Sequence, residues 1–458
     1  MARLVAAPGP GAHLVACADV GSTYTKVAAV DVAAGTLVAT AAHPTTVATD
    51  VLHGLDAALG ALAEAVPGHR VGHLYACSSA GGGLRLAVVG YEPLVSAEAG
   101  HRVATSAGAQ VVHVAAGPLT PAGVAALRAA RPDVVLLVGG TDGGDEEVVR
   151  HNGARLAGAR LRVPVVFAGN AAARDDVVAG LAGRGVPVVA AGNVLPRIGV
   201  LAPQPARDAI REVFLRHVIG GKRLSAGRRF AGLVRGATPD VVLTAVELLA
   251  DAGAGDFAVV DVGGATTDVY SAVAPDEARR EVAGVLWRSR TVEGDLGVRW
   301  SAPGVVAAAR AEKLIDDAEA DALAGAAAQR AADPGMLATG DGVDLRLARL
   351  AATVALRRHA RGEAAGGAGA PRRGGKDLAG VRVLIGSGGV LRHAPVPAAH
   401  GALEAVLADH AGGWRRPRAA GARVDRSYVL AAVGLIAADH PAAAIAVARC
   451  YLHLQLPE

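Results

Sequence analysis

The chain has 458 residues, enough for two or three domains with real cores, and its 52% hydrophobic content is mostly Ala and Val. A net charge of +4 arises from Arg scattered among acids, with Lys only at positions 26, 222, 313 and 376, and 3% aromatics leave little for base stacking; nucleic acid is not an expected partner. No apolar run reaches the ~18 residues of a membrane span, and three distant cysteines (Cys17, Cys77, Cys450) offer neither a disulfide framework nor a CxxC pair.

Pro8, Gly9 and Pro10 interrupt the N-terminus, so no secretory core is expected and the cytoplasm is the expected compartment. Three strands are predicted at 13–20, 25–32 and 36–47, with turns at Gly21 and Gly35. A helix over 50–66 follows, with Asp50 as its N-cap, and then a strand that enters the glycine loop of 71–83. From 133 the rhythm changes. The β-branched runs 133–145, 163–170 and 186–193 each end in a glycine loop and alternate with helical stretches, which predicts a parallel α/β sheet. An amphipathic helix is predicted over 206–219.

The order strand, strand, strand, helix, strand then returns, with strands at 256–264, 266–273 and 281–292, helical material from Pro303, and a strand with a glycine loop at 381–391. The segment 361–375 is too rich in Gly and Ala to hold regular structure and reads as a disordered surface loop. These rhythms divide the chain into a first lobe at 13–132, an α/β middle region at 133–205 and a second lobe at 206–458.

Two polar breaks sit inside otherwise apolar strands. "ADVGSTYTK" begins at Ala18 and "VDVGGATTD" at Val260. Aligned on their acids, Asp19, Val20, Gly21, Thr25 and Val27 match Asp261, Val262, Gly263, Thr267 and Val269, an offset of 261 − 19 = 242 residues. Two matched strand–turn–strand units predict a duplicated fold with a cleft between the halves. In such a turn, glycine permits positive φ and backbone N–H groups converge on an anion. Ser22, Thr23, Thr266 and Thr267 add hydroxyl donors suited to phosphate oxygens, and Asp19 and Asp261 stand at strand ends, where they can hold the water shell of Mg²⁺ on a polyphosphate. Lys26 either adds a counter-charge or, by strand alternation, points to solvent. "TVEGDLG" carries Glu293 and Asp295 either into the cleft or into a polar turn, and the acids of 139–147 read as a solvated loop. The histidines have no metal-ligand spacing, so no zinc is expected.

"DVGSTYTK", "DVGGATTD" and "IGSGGVL" resemble the two phosphate motifs and the adenosine motif of the actin, sugar-kinase and heat-shock chaperone ATPase superfamily. "LLVGGTDGGDEE", "AGNVLPRIGVLAPQPARDAIREVFLRHVI" and "TVEGDLGVRWSAPG" narrow the resemblance to the glutamate mutase reactivating protein family, also called GlmL or MutL, over most of Ala16 to His440. The resemblance implies a two-lobed, duplicated ribonuclease H-like (actin-like ATPase) fold with nucleotide in the interlobe cleft. It also implies ATP and Mg²⁺ as cofactors and an adenosylcobalamin-dependent, glutamate mutase-like enzyme as partner, whose damaged cobalamin is exchanged for intact coenzyme. Phosphate and metal contacts carry over to Asp19, Gly21, Ser22, Thr23, Asp261, Gly263, Gly264, Thr266 and Thr267, and adenosine contacts to Gly386, Ser387, Gly388 and Gly389. Asp268 is a candidate for orienting the attacking water. The rivals are a small-molecule kinase of the same superfamily, an iron–sulfur activator of radical dehydratases, for which Cys17, Cys77 and Cys450 form no cluster motif, and a scaffold with a degenerate site.

Overall fold

A computed structural model describes residues 2–5, 13–80, 84–219, 224–225, 228–274, 287–336, 342–364 and 372–456. In chain order the strands are β1 (Ala2–Leu4), β2 (Leu14–Val20), β3 (Tyr24–Asp31), β4 (Thr36–Pro44), β5 (Val71–Ser78), β6 (Leu84–Gly90), β7 (Ala109–Ala116), β8 (Val134–Leu137) and β9 (Val165–Phe167). They continue as β10 (Val188–Ala190), β11 (Val234–Ala237), β12 (Phe257–Val262), β13 (Thr267–Ala272), β14 (Arg288–Glu293), β15 (Glu363–Ala364), β16 (Arg372–Arg373), β17 (Val383–Ser387) and β18 (Gly421–Val424).

The duplication is plain in the pairing. The first sheet runs β1-β4-β3-β2-β5-β11 and the third runs β14-β13-β12-β17-β18. In each, three antiparallel strands are followed by two parallel ones, so β2, β3, β4, β5 and β11 correspond to β12, β13, β14, β17 and β18. This is a duplicated ribonuclease H-like, actin-like fold. The helix Val51–Ala65 covers the first sheet, and the Asp50 carboxylate caps it by accepting from Leu52 N at 2.8 Å.

Between the two sheets lies a shared core. The helix Thr238–Asp251 leaves β11 yet packs on β13 and β14, whereas Leu430–Ile436 leaves β18 yet packs on β2 and β5. The two helices also pack on each other, and their core includes Cys17, Cys77, Val246, Phe257, Tyr270 and Val433. Each lobe therefore donates a helix to the other's sheet, and this exchange fixes the faces that carry Asp19 and Asp261.

The middle sheet is wholly parallel, in the order β10-β9-β8-β6-β7. It begins at Leu84, so β6 and β7 pair here rather than in the lobe expected over 13–132. "AGGGLRLAVVG" hides β6 because a parallel strand buried at every position but Arg85 reads as an apolar run after a glycine loop. The expected helix over 206–219 is regular only over Gln204–Val213 and widens into a π-helical turn at Phe214–Ile219. Of the expected irregular segment 361–375, residues 365–371 lie outside the described residues. Its flanks are ordered against that expectation: β15 pairs antiparallel with β16, and Arg361 ends a helix with its guanidinium on Glu312 at 2.5 Å. The glycines 81–83 and residues 275–286, the start of the strand expected at 281–292, also lie outside the described residues. Among the described residues no helix is long and apolar enough to cross a membrane.

Candidate functional site

The two polar breaks fold into the same hairpin twice. Gly21 N donates to Tyr24 O at 3.1 Å, and Gly263 N donates to Thr266 O at 2.9 Å. A Cβ on Gly21 would lie 2.8 Å from Tyr24 O, and one on Gly263 would lie 2.9 Å from Thr266 O. Contrary to the expectation of positive φ, neither these glycines nor Gly264 adopt it. Close backbone approach across the turn, not left-handed conformation, is what demands glycine here.

The hairpin tips face each other. A Cβ on Gly264 would sit 2.6 Å from Thr23 Oγ1, and that hydroxyl is buried with no hydrogen-bond partner. An orphaned donor between two glycine turns is suited to an anionic oxygen that enters the gap. Ser22 and Thr266 are half-buried beside it, and Thr266 Oγ1 donates to Asp268 Oδ2 at 3.2 Å. Thr267 is not in the gap. It is fully buried and its hydroxyl donates to Leu296 O at 2.5 Å, just as Thr25, its counterpart, is buried against Thr45 Oγ1 at 3.0 Å.

The acids meet below the turns. Asp19 stands opposite Lys26 in the β2–β3 register, and Asp261 stands opposite Asp268 in the β12–β13 register. Lys26 Nζ lies 3.4 Å from Asp19 Oδ2 with its side chain 22% exposed, so its role is that of a counter-charge and not a solvent-facing strand residue. Asp261 is half-buried by accessible area but enclosed by protein, and this burial pushes its carboxyl up to about 7, with Asp268 and Asp19 adding repulsion and Lys26 and a hydrogen bond from Ser387 opposing it. Asp268 is spent differently: it accepts from Arg290 Nε at 2.9 Å, and Arg290 is itself buried, so the pair relieves two like charges standing opposite in the ladder.

Of the four adenosine candidates, Gly389 alone borders open space. Gly386 is buried where a Cβ would strike Leu403 and Leu391, and Gly388 (φ 107°) lies where one would sit 2.1 Å from Val262 O. Ser387 is buried next to Asp261 in the β12–β17 register. Glu293 and Asp295 take the polar-turn alternative and are claimed by Arg358, at 2.7 Å from each. In the loop 139–147, Asp142, Asp145 and Glu147 are exposed, and the buried Asn170 and Asn193 hold its backbone at the carboxyl end of the middle sheet.

Two site residues escaped the sequence reading. Thr238 Oγ1 donates to Asp19 Oδ1 at 2.6 Å, and Tyr428 OH donates to Asp19 Oδ2 at 3.1 Å. They stand at or just before the starts of the two exchanged helices, hundreds of residues from Asp19, and the only local signal is the Thr-Pro-Asp start at 238. Among the described residues no group of three or more His, Cys, Asp or Glu side chains is arranged to hold a metal ion. The carboxylates present suit a hydrated hard cation shared with a polyphosphate, which needs one or two acids and keeps its waters.

Among solved structures, nucleotide-free acetone carboxylase is 16% identical, with 93% of this chain and 70% of that chain covered and a TM-score of 0.39. Nucleotide-free diol dehydratase-reactivating factor is 12% identical, with 94% and 100% covered and a TM-score of 0.35. Protein MutL of Clostridium tetanomorphum is 35% identical over 462 residues, spanning 95% of this chain and 98% of that protein. The family described as MutL protein matches residues 15–452, and the chain belongs to that family.

Proposed function

We propose that this protein is an ATP-dependent reactivating factor that loosens a glutamate mutase-type enzyme so that damaged cobalamin is exchanged for adenosylcobalamin. The observation that carries the nucleotide half of this reading is the orphaned Thr23 hydroxyl held between two geometrically matched glycine hairpins, with Asp19 and Asp261 beneath them. The partner half rests on membership in the MutL family.

On this reading Ser22, Thr23, Gly264 and Thr266 present N–H and O–H donors to the phosphates, Gly21 and Gly263 use their own N–H groups to close the turns that hold them, and Gly389 lies at the adenosine end. Mg²⁺ bound through water to Asp19 and Asp261 would supply charge neutralisation at the transferring phosphoryl group. The chain's own contribution is positioning: the hairpins belong to different lobes, so a phosphate gripped by both draws the lobes together and its loss releases them. A nucleotide can drive the partner only through different affinities of the two lobe arrangements for it. Thr267 serves the hairpin from behind, and Asp268 is held as the partner of Arg290.

The test is rescue. A mutase inactivated by turnover should regain activity with this protein, Mg·ATP and fresh adenosylcobalamin together, and a non-hydrolysable analogue should block repeated rescue. Recovery equally fast without ATP, or ATP consumption that tracks phosphorylation of a metabolite, overturns the reading in favour of a small-molecule kinase.

A further inference from the structure

Asp19 holds more donors than a metal-binding carboxylate can keep. Thr238 Oγ1 (2.6 Å) and Cys77 Sγ (3.6 Å) reach Oδ1, and both residues are buried. Tyr428 OH (3.1 Å) and Lys26 Nζ (3.4 Å) reach Oδ2. A carboxylate offers about four acceptor positions, so none remains for a water of a hydrated cation. One donor must leave before such a cation is held, and the candidate is the one that is charged, partly exposed and most distant among the oxygen and nitrogen donors. That donor is Lys26.

Its position is built, not incidental. The ammonium lies 3.8 Å from the centroid of the Tyr428 ring, a cation–π seat. Tyr428 itself has φ 55°, left-handed and unfavourable for an aromatic residue, and it is fixed there by a hydrogen bond from its N to Asp425 O at 3.3 Å. The Asp425 carboxylate, fully buried, accepts from Val429 N and Leu430 N at the start of the following helix. The same ammonium opposes the rise of the Asp261 carboxyl in the second lobe.

We propose that the Lys26 ammonium, seated on Tyr428, is a built-in stand-in for the divalent cation: it neutralises Asp19 until metal and nucleotide arrive, then leaves Asp19 for the phosphates. The inference rests on the ATPase reading and assigns Tyr428 as a positioning residue of that site. It makes the metal and the nucleotide obligate companions, because metal alone must expel an ammonium that has nowhere better to go.

The experiment titrates the full chain with Mn²⁺ alone, without nucleotide, and follows free Mn²⁺ by electron paramagnetic resonance. Wild type should bind weakly. Lys26→Met should bind Mn²⁺ about tenfold tighter or more, since the Asp19 carboxylate then has an open acceptor position and no counter-charge, while its affinity for Mg·ATP falls. Tyr428→Leu and Tyr428→Phe both keep every charge and both give up the hydroxyl donor to Asp19, but only the leucine removes the seat, so Leu should gain more Mn²⁺ affinity than Phe and both less than Lys26→Met. Unchanged or weaker Mn²⁺ binding by folded Lys26→Met overturns the proposal, and if that variant does not fold, the absence of any gain in Tyr428→Leu does so instead. Failure of wild type to bind Mg·ATP refutes the ATPase reading separately, because the Mn²⁺ titrations contain no nucleotide.

Discussion

Thr23→Val separates binding from stability, because the structure predicts opposite signs for the two. The Thr23 hydroxyl is buried without a partner at the tip of the first hairpin, and valine has the same branched shape with a methyl in its place. A buried, unsatisfied hydroxyl costs about 1–3 kcal/mol, and as Thr23 is only half-buried as a residue, the lower end applies. The variant without nucleotide should therefore gain about 1 kcal/mol, a rise of roughly 1 °C in melting midpoint for a chain of this length. With nucleotide the sign reverses. A hydrogen bond to a charged oxygen contributes about 1.5–3 kcal/mol, so Mg·ATP should bind roughly 10- to 150-fold more weakly. Calorimetric titration with Mg·ATP and scanning calorimetry without it read the two halves, and Thr23→Ser, which keeps the hydroxyl, should bind near wild type. A valine variant that melts lower, or that binds Mg·ATP as tightly as wild type, would refute the assignment of this hydroxyl to the phosphates.

Asp19→Asn and Asp261→Asn should each slow Mg-dependent ATP hydrolysis by roughly 10²-fold or more, and wild-type turnover in both would remove the two acids from the site. Asp261→Asn should also change how stability depends on pH. The Asp261 carboxyl, ordinarily near 3.8, is raised to about 7 by burial, so between those values the folded state holds a proton that the unfolded state lacks and stability falls as pH rises. His359 opposes it: burial between the Ser271 and Thr291 hydroxyls, at 2.8 and 2.9 Å, lowers it to about 3 from 6.5, so across that window the unfolded state holds the extra proton and stability is lost as pH falls. Their slopes cancel between about pH 4 and 6.5, and removing Asp261 should leave a slope more positive by up to about 1.4 kcal/mol per pH unit. Urea unfolding of both proteins at pH 4.5 and 6.5 checks this, and parallel slopes would contradict it.

The duplication was legible because it is local. Asp19-Val-Gly and Asp261-Val-Gly interrupt otherwise apolar strands at identical offsets, and the hydrogen bonds that close those turns lie within four residues. Helix starts such as Asp50 and the short strands of the middle sheet are likewise set by nearest neighbours and hydrophobic runs. What the sequence left open was direction. Period-2 alternation puts Thr25 and Thr267 on the faces opposite Asp19 and Asp261, but only the packed sheets show that those faces are core, where hydroxyls serve Thr45 and Leu296. The membership of β6 and β7 was equally hidden, since a parallel strand takes its partners across a crossover and not from an adjoining turn. The donor set on Asp19 is the clearest case. Thr238 and Tyr428 come 219 and 409 residues later, each at the start of a helix that one lobe lends to the other. No spacing rule connects them to Asp19, because their meeting depends on how two whole sheets pack around shared helices.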